Sequence, residues 1–180
     1  MEAYFRFVKR LADALAAEGL DYAFTGAVAV SVYGAPRTTS DVDVVVAVAD
    51  ARSVKAKVTS ALERAGLNVD ERQIDAALTS GYRIATVRDR ASPFSVDVIF
   101  ADAVQKRAGV IDGVRTFFQA PEDLVLAKLR MIKATVPRER AVKDEEDVKA
   151  ILAFTKVDLA AVRKQARKQG TLEILESLME

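Results

Sequence analysis

The sequence predicts an α/β protein: a core with a mixed sheet flanked by helices, followed by a C-terminal helical subdomain. Three observations carry this. Val42 to Val48 is a β-branched run of strand length, the mark of a strand buried on both faces over most of its extent. Around it lie segments whose apolar residues recur every three or four positions, the period of an amphipathic helix. After about residue 118 the strand patterns cease and helical ones fill the chain to its end. The expected boundaries are a core of residues 1–118 and a helical subdomain of residues 119–180 packed on it.

Taken in order, residues 3–18 place Phe5, Val8, Ala12 and Leu15 at helical spacing, and Gly19 ends that helix. Asp21 to Thr25 reads as a short strand, and Gly26 begins a helix through about Tyr33. Gly34 to Ser40 is a loop, with Gly and Pro as breakers. Beyond the valine run, Asp50 caps a helix whose core side is Val54, Val58 and Leu62, stopped by Gly66. Tyr82 to Val87 and Phe94 to Phe100 pair as strands across Arg88-Asp89-Arg90. Gly109 to Phe118 adds a hairpin around Asp112-Gly113, a favoured turn pair. Pro121 then opens a helix at its natural first position, carrying Leu124, Leu126, Lys128, Leu129 and Ile132. Two or three further helices fill 138–180, with Gly170 separating the last two.

The chain has 180 residues, 51% apolar and 29% charged, enough to bury a real core. Its net charge of +1 gives no bulk pull toward nucleic acid or an acidic membrane. The longest apolar stretches fall far short of the roughly 20 residues that a membrane span needs. The first residues lack the basic-then-apolar order of a signal peptide, so the cytoplasm is the expected compartment. There is no cysteine and no histidine. That removes disulfides, thiolate nucleophiles, the Ser-His-Asp triad and the usual zinc ligands. The chemistry left to the chain uses carboxylates, Lys, Arg, Tyr, hydroxyls and an oxygen-preferring metal such as Mg²⁺ or Mn²⁺.

Asp41 and Asp43 supply the carboxylates. They flank Val42 at the head of the valine run, and alternate residues of a strand share a face. Two carboxylates a few ångströms apart repel unless a cation or a proton lies between them. A third acid, Asp97, interrupts the apolar Phe94 to Phe100 strand. If that strand lies beside the first, three carboxylates converge, as Mg²⁺ with a triphosphate requires. Gly26 opens a helix about fifteen residues before the pair, and a helix N-terminus presents free N–H groups suited to phosphate. Arg37 and Thr39, with Ser40 between the loop and the strand, either hold phosphates or orient the strand's first residue. Lys128, among leucines, either snorkels or is aimed into a cleft. Asp144 and Asp147 lie one helical turn apart and share a face, either solvated or near the site.

Gly26, Tyr33-Gly34, Arg37, Thr39, Asp41-Val42-Asp43 and a single later Asp97 together resemble the polymerase-β-like nucleotidyltransferase superfamily. The pattern is most similar to its small prokaryotic branch of minimal and abortive-infection toxin nucleotidyltransferases. Asp123 to Arg130, then Arg140 and Lys143-Asp144-Glu145-Glu146-Asp147-Val148, resemble the lysine helix and acidic helix of that branch. The likeness covers roughly residues 20–152. It implies a nucleotidyltransferase-type core and transfer of a nucleoside monophosphate from an NTP to a hydroxyl acceptor, with pyrophosphate leaving. It further implies that Asp41, Asp43 and Asp97 hold Mg²⁺ or Mn²⁺ and are catalytic. Gly26, Ala27, Arg37, Thr39, Ser40 and Lys128 would contact the nucleotide. The acceptor stays open among a tRNA, a protein and a small molecule, with no membrane partner. One departure stands out: Gly26-Ala27 occupies the place where the family shows Gly-Ser or Gly-Gly. A lost serine hydroxyl corresponds to about 1–3 kcal/mol of binding. The alternative is therefore a non-catalytic nucleotide-binding or interaction module, such as a toxin–antitoxin component.

Overall fold

In the computed structural model, residues 2–34, 36 and 39–180 are described. They form two compact units, Met1–Val28 with Thr38–Gln119, and Ala29–Arg37 with Ala120–Glu180. Of the expected loop between Gly34 and Ser40, only Gly34, Pro36, Thr39 and Ser40 are among the described residues.

The first unit is built on a mixed sheet. Its strands are β1 (Tyr22–Phe24), β2 (Asp41–Ala47), β3 (Leu67–Asn68), β4 (Ile84–Asp89), β5 (Ser95–Ala101), β6 (Lys106–Ile111) and β7 (Val114–Gln119). They lie in the order β3-β4-β5-β2-β1-β7-β6. β2 runs parallel to β5 and antiparallel to β1, which is itself parallel to β7. The helices of this unit are α1 (Glu2–Ala17), α3 (Ala51–Arg64) and α4 (Glu71–Thr79), while α2 (Gly26–Tyr33) passes from the first unit into the second. α1 packs on α3, α3 on α4, and α4 on β4.

β2 is central because its sequence can be buried. Val44, Val45 and Val46 are all buried, and so are Val96, Val98 and Phe100 on β5. At the other ends of these strands the two faces part company. Val42, Val96, Val87 and Ala85 are buried, whereas Asp41 and Thr86 are exposed and Asp43 and Asp97 half-buried. A polar stripe therefore runs across β2, β5 and β4 on the face opposite the buried valines, a consequence of period-two alternation.

Local chemistry fixes the joints. Asp50 caps α3 by accepting from the Ser53 N–H at 2.7 Å. Asp112 and Gly113 both take positive φ, 47° and 78°, giving the type I′ geometry whose twist suits a two-residue hairpin between β6 and β7. Asp89, whose side chain is 2% exposed, accepts from Arg10 at 2.5 Å and from the Ser92 hydroxyl at 2.6 Å. That contact ties α1 to the end of β4.

The second unit is helical: α5 (Pro121–Ala134), a 3-10 turn (Arg138–Ala141), α6 (Val142–Phe154), α7 (Leu159–Gln169) and α8 (Leu172–Met179). α5 packs against α6, α7 and α8, burying Leu124, Leu129, Ile132, Val148, Ile151, Val162 and Leu175. Pro121 occupies the first turn of α5, where its missing N–H costs nothing. Gly170 ends α7 in the left-handed conformation. The later half of α2 belongs here, with the Thr155 hydroxyl donating to the Tyr33 carbonyl. Among the described residues no helix is long and apolar enough to cross a membrane.

Candidate active site

Strand register brings the three acids of the first unit onto one face. β2 and β5 pair in parallel with Asp43 opposite Asp97, and with Asp41 opposite Ser95. β4 adds Thr86 opposite Asp97 from the other side. In-register residues of neighbouring strands project to the same face, so Asp41, Asp43, Asp97, Ser95 and Thr86 form one polar surface. Asp97 thus shares a face with the acidic pair through the pairing of β2 with β5.

Each carboxylate has its own orienting partner. Asp41 Oδ1 accepts from the Ser95 hydroxyl at 2.7 Å and from the Ser40 hydroxyl at 3.3 Å. Asp97 Oδ1 accepts from the Thr86 hydroxyl at 2.6 Å. Asp43 lies against Gly26, where a Cβ built on the glycine would stand 1.9 Å from Asp43 Oδ2. Among the described residues no three acids are gathered into a ready cation cage. The acids share a face, but the expected convergence of three carboxylates on one point is not found among the described residues.

Gly26 is needed twice over. Its φ of +55° is a left-handed conformation, which costs an L-residue about 1–2 kcal/mol. The space its missing Cβ leaves is filled by the Asp43 carboxylate. The Thr25 N–H, donating to the Asp43 carbonyl at 2.9 Å, joins the chain just before α2 to the acidic strand. Gly26→Ala is expected to lower unfolding stability by about 1–2 kcal/mol and to push the Asp43 carboxylate out of place. Denaturant unfolding measures the first effect and nucleotide titration the second. An alanine variant with wild-type nucleotide affinity would show that the close approach has no part in binding.

Thr39 holds the first residue of β2 from both sides. Its hydroxyl donates to the Asp41 carbonyl at 3.1 Å and accepts from the Asp41 N–H at 3.2 Å. Ala27 follows Gly26 in the first turn of α2 and brings no side-chain donor. Arg37 lies outside the described residues.

Lys128 belongs to the helical unit, and there it is clamped. Its Nζ lies 2.7 Å from Asp144 Oδ1 and 2.8 Å from Asp147 Oδ2. Burial alone would lower the pKa of this ammonium, but the hydrogen bonds and charges of the two carboxylates outweigh it and raise it. The spacing of Asp144 and Asp147 put them on one face, and the structure shows that this face meets Lys128. An ammonium has three N–H donors, and two carboxylates engage two of them.

Sequence reasoning missed three hydroxyls of the first unit. Ser95 and Thr86 orient the acids. The third is Tyr4, whose hydroxyl oxygen is buried and has no hydrogen-bond partner among the described residues. Its ring meets Phe94 edge-on at 5.5 Å, beside Ser95, and Phe5 at 5.8 Å. Burial, then the charges of Asp43 and Asp41, push its pKa up to about 12. Ser95 was readable as the residue two before Asp97; nothing in the sequence marks Tyr4.

A concavity of about 800 Å³ lies elsewhere in this unit, lined by Arg6, Phe7, Lys9, Arg10, Asp13 and Asp89 among others. Its charges already pair with one another or with neighbours: Arg10 with Asp89, Lys9 with Asp13 and Arg6 with Glu2. The acidic residues singled out from the sequence lie instead on the polar face of β2 and β5.

The donor set suits a hard divalent cation. Carboxylates with supporting hydroxyls are oxygen ligands, the kind Mg²⁺ and Mn²⁺ prefer, and Gly26 leaves the Asp43 carboxylate room at the helix start.

Residues 6–173 match the family described as nucleotidyl transferase AbiEii toxin, type IV TA system. Among solved structures, the antibiotic-resistance factor ANT(2″)-Ia in solution is similar, with a TM-score of 0.66 at 14% identity and 99% of each chain covered. The crystal structure of ANT(2″)-Ia in complex with adenylyl-2″-tobramycin gives a TM-score of 0.68 at 13% identity, over 93% of this chain and 98% of that one. An antigenic nucleotidyltransferase-like protein from Paracoccidioides brasiliensis gives 0.58 at 16% identity, over 92% and 90%. At these identities the likeness shows the fold alone. No curated protein matches the sequence.

Proposed function

The chain belongs to the AbiEii nucleotidyltransferase toxin family, and from that premise we propose that it moves a nucleoside monophosphate from an NTP to a hydroxyl acceptor. Pyrophosphate is the leaving group. The observation that carries this reading is the register of Asp43 opposite Asp97 with Asp41 on the same face, beside the close approach of Gly26. A fold relative whose crystal structure is in complex with adenylyl-2″-tobramycin is in keeping with this reading.

In this reading the first turn of α2, opened by Gly26, faces the triphosphate. Asp41, Asp43 and Asp97 would hold Mg²⁺ or Mn²⁺, which when bound offsets phosphate charge and lowers the pKa of the acceptor hydroxyl. Ser95 and Ser40 fix the Asp41 carboxylate, and Thr86 fixes that of Asp97. Asp97 accepts the proton of the acceptor hydroxyl as its oxygen attacks the α-phosphorus in line. Ser40 and Thr39 align the start of the acidic strand, and Ala27 contributes its backbone. The sequence resemblance gives the charge of the departing pyrophosphate to Lys128 or Arg37. Family membership places the chain in a toxin–antitoxin setting, in which the acceptor is a tRNA, a protein or a small molecule.

The test is titration with each of the four nucleoside triphosphates, with and without Mg²⁺, followed by incubation of labelled nucleotide with cell extract. Metal-dependent binding and a labelled product are expected. Ala27 favours a second reading, a nucleotide-binding module without turnover. Metal-dependent binding with no labelled product in any extract would select it over transfer.

A further inference from the structure

We infer that the Tyr4 hydroxyl is a phosphate-positioning group of this site, donating its hydrogen bond to a non-bridging oxygen of the bound nucleotide. The inference rests on the nucleotidyltransferase reading above and adds a residue to it.

The hydroxyls around the acids are otherwise engaged. Ser40 and Ser95 donate to Asp41, and Thr86 donates to Asp97. The Tyr4 hydroxyl alone of this group is buried with no partner among the described residues. A buried donor left unpaired is costly, and native structures keep few of them. Orphaned donors of this kind are expected where a ligand completes the bond.

Position narrows the ligand. The first turn of α1 sets the Tyr4 ring edge-on to Phe94, and the next residue, Ser95, donates to Asp41. The hydroxyl feels the charges of Asp43 and Asp41, yet it donates to neither. A phenol carries one O–H, so it can enter binding as a donor. The oxygen it meets must be an acceptor. A cation-bound water directs its lone pair at the cation and presents O–H donors outward, so it would use the phenol only as an acceptor and leave the phenol's own O–H unpaired. A phosphate oxygen offers both negative charge and lone pairs. The Ala27 side chain supplies no donor beside Gly26, which leaves the Tyr4 O–H unmatched by any hydroxyl there.

Tyr4→Phe tests this, because it keeps the ring and its contacts with Phe94 and Phe5 and deletes one O–H. Wild type and variant are titrated calorimetrically with the Mg²⁺ salts of ATP, GTP, CTP and UTP, and with Mg²⁺ alone. Both are also melted without nucleotide. For the nucleotide that wild type prefers, the expected result is about tenfold weaker binding by the variant, with Mg²⁺ affinity unchanged. The melting midpoint without nucleotide should be unchanged or higher, since the deleted group has no partner in the free protein. Equal nucleotide affinity in the two proteins would overturn the inference. So would a lowered melting midpoint accompanied by unchanged affinity, which would make the hydroxyl structural. Failure of wild type itself to bind any of the four nucleotides would overturn the reading beneath it, and that outcome is seen before the variant is compared.

Discussion

Asp43→Asn is expected to leave the protein folded and to lower nucleotide transfer by about 10³-fold, roughly 4 kcal/mol of transition-state stabilisation. The substitution keeps the shape of the side chain that fills the space beside Gly26. What it removes is charge. Asp43 stands opposite Asp97 in the β2–β5 register, with Asp41 on the same face, so the free protein holds like charges near one another. Neutralising the middle one relieves repulsion, and the thermal midpoint should hold steady or rise slightly. Loss of function without loss of stability separates a reacting centre from a structural one. Transfer of labelled nucleotide, measured beside a melting curve, gives both readings. A variant that transfers at the wild-type rate would show that the acidic face is not where the reaction occurs.

The parts of this site legible in the sequence are those where local chemistry contradicts its surroundings. An aspartate inside a valine run has no packing reason to be there, which made Asp41, Asp43 and Asp97 visible. The same holds for the joints: Asp50 before α3, Asp112-Gly113 between β6 and β7, and Pro121 at the head of α5 each carry a local signal, and each stands where expected. α4 was missed because only Ile74 and Ala77 of its nine residues are buried, too few points to define a period. β6 begins at Lys106 rather than Gly109 because it is an edge strand whose charged first residues break the alternation. Thr86 and Tyr4 were illegible for a different reason. Their role depends on which strand or helix lies beside the acids, and no local pattern encodes a pairing between residues 86 and 97 or a neighbour as distant as residue 4.

Lys128 shows the same division, and it yields the second large effect. Its place among leucines was readable, and so was the common face of Asp144 and Asp147. That the two features meet was not. Lys128→Met keeps most of the stem and removes the cation from two carboxylates, of which Asp147 is only 6% exposed at its side chain. Breaking a buried pair from one side leaves a charge without compensation, which costs about 3 kcal/mol or more. For a chain of this size that corresponds to a fall of roughly 6–12 °C in melting midpoint. The pH dependence has a definite sign. Because the carboxylates raise the Lys128 pKa against burial, its contribution is complete below the usual lysine value and fades only as pH climbs through the raised one. The deficit of Lys128→Met should accordingly be constant across the neutral range and shrink only in strong alkali. Adding Asp144→Asn and Asp147→Asn to Lys128→Met removes the stranded charges, and most of the lost stability should return. Nucleotide affinity should stay about tenfold low in that triple variant if the ammonium also contacts phosphate. Affinity that returns together with stability would instead make the clamp a purely structural device, and the phosphate role would pass to residues of the first unit.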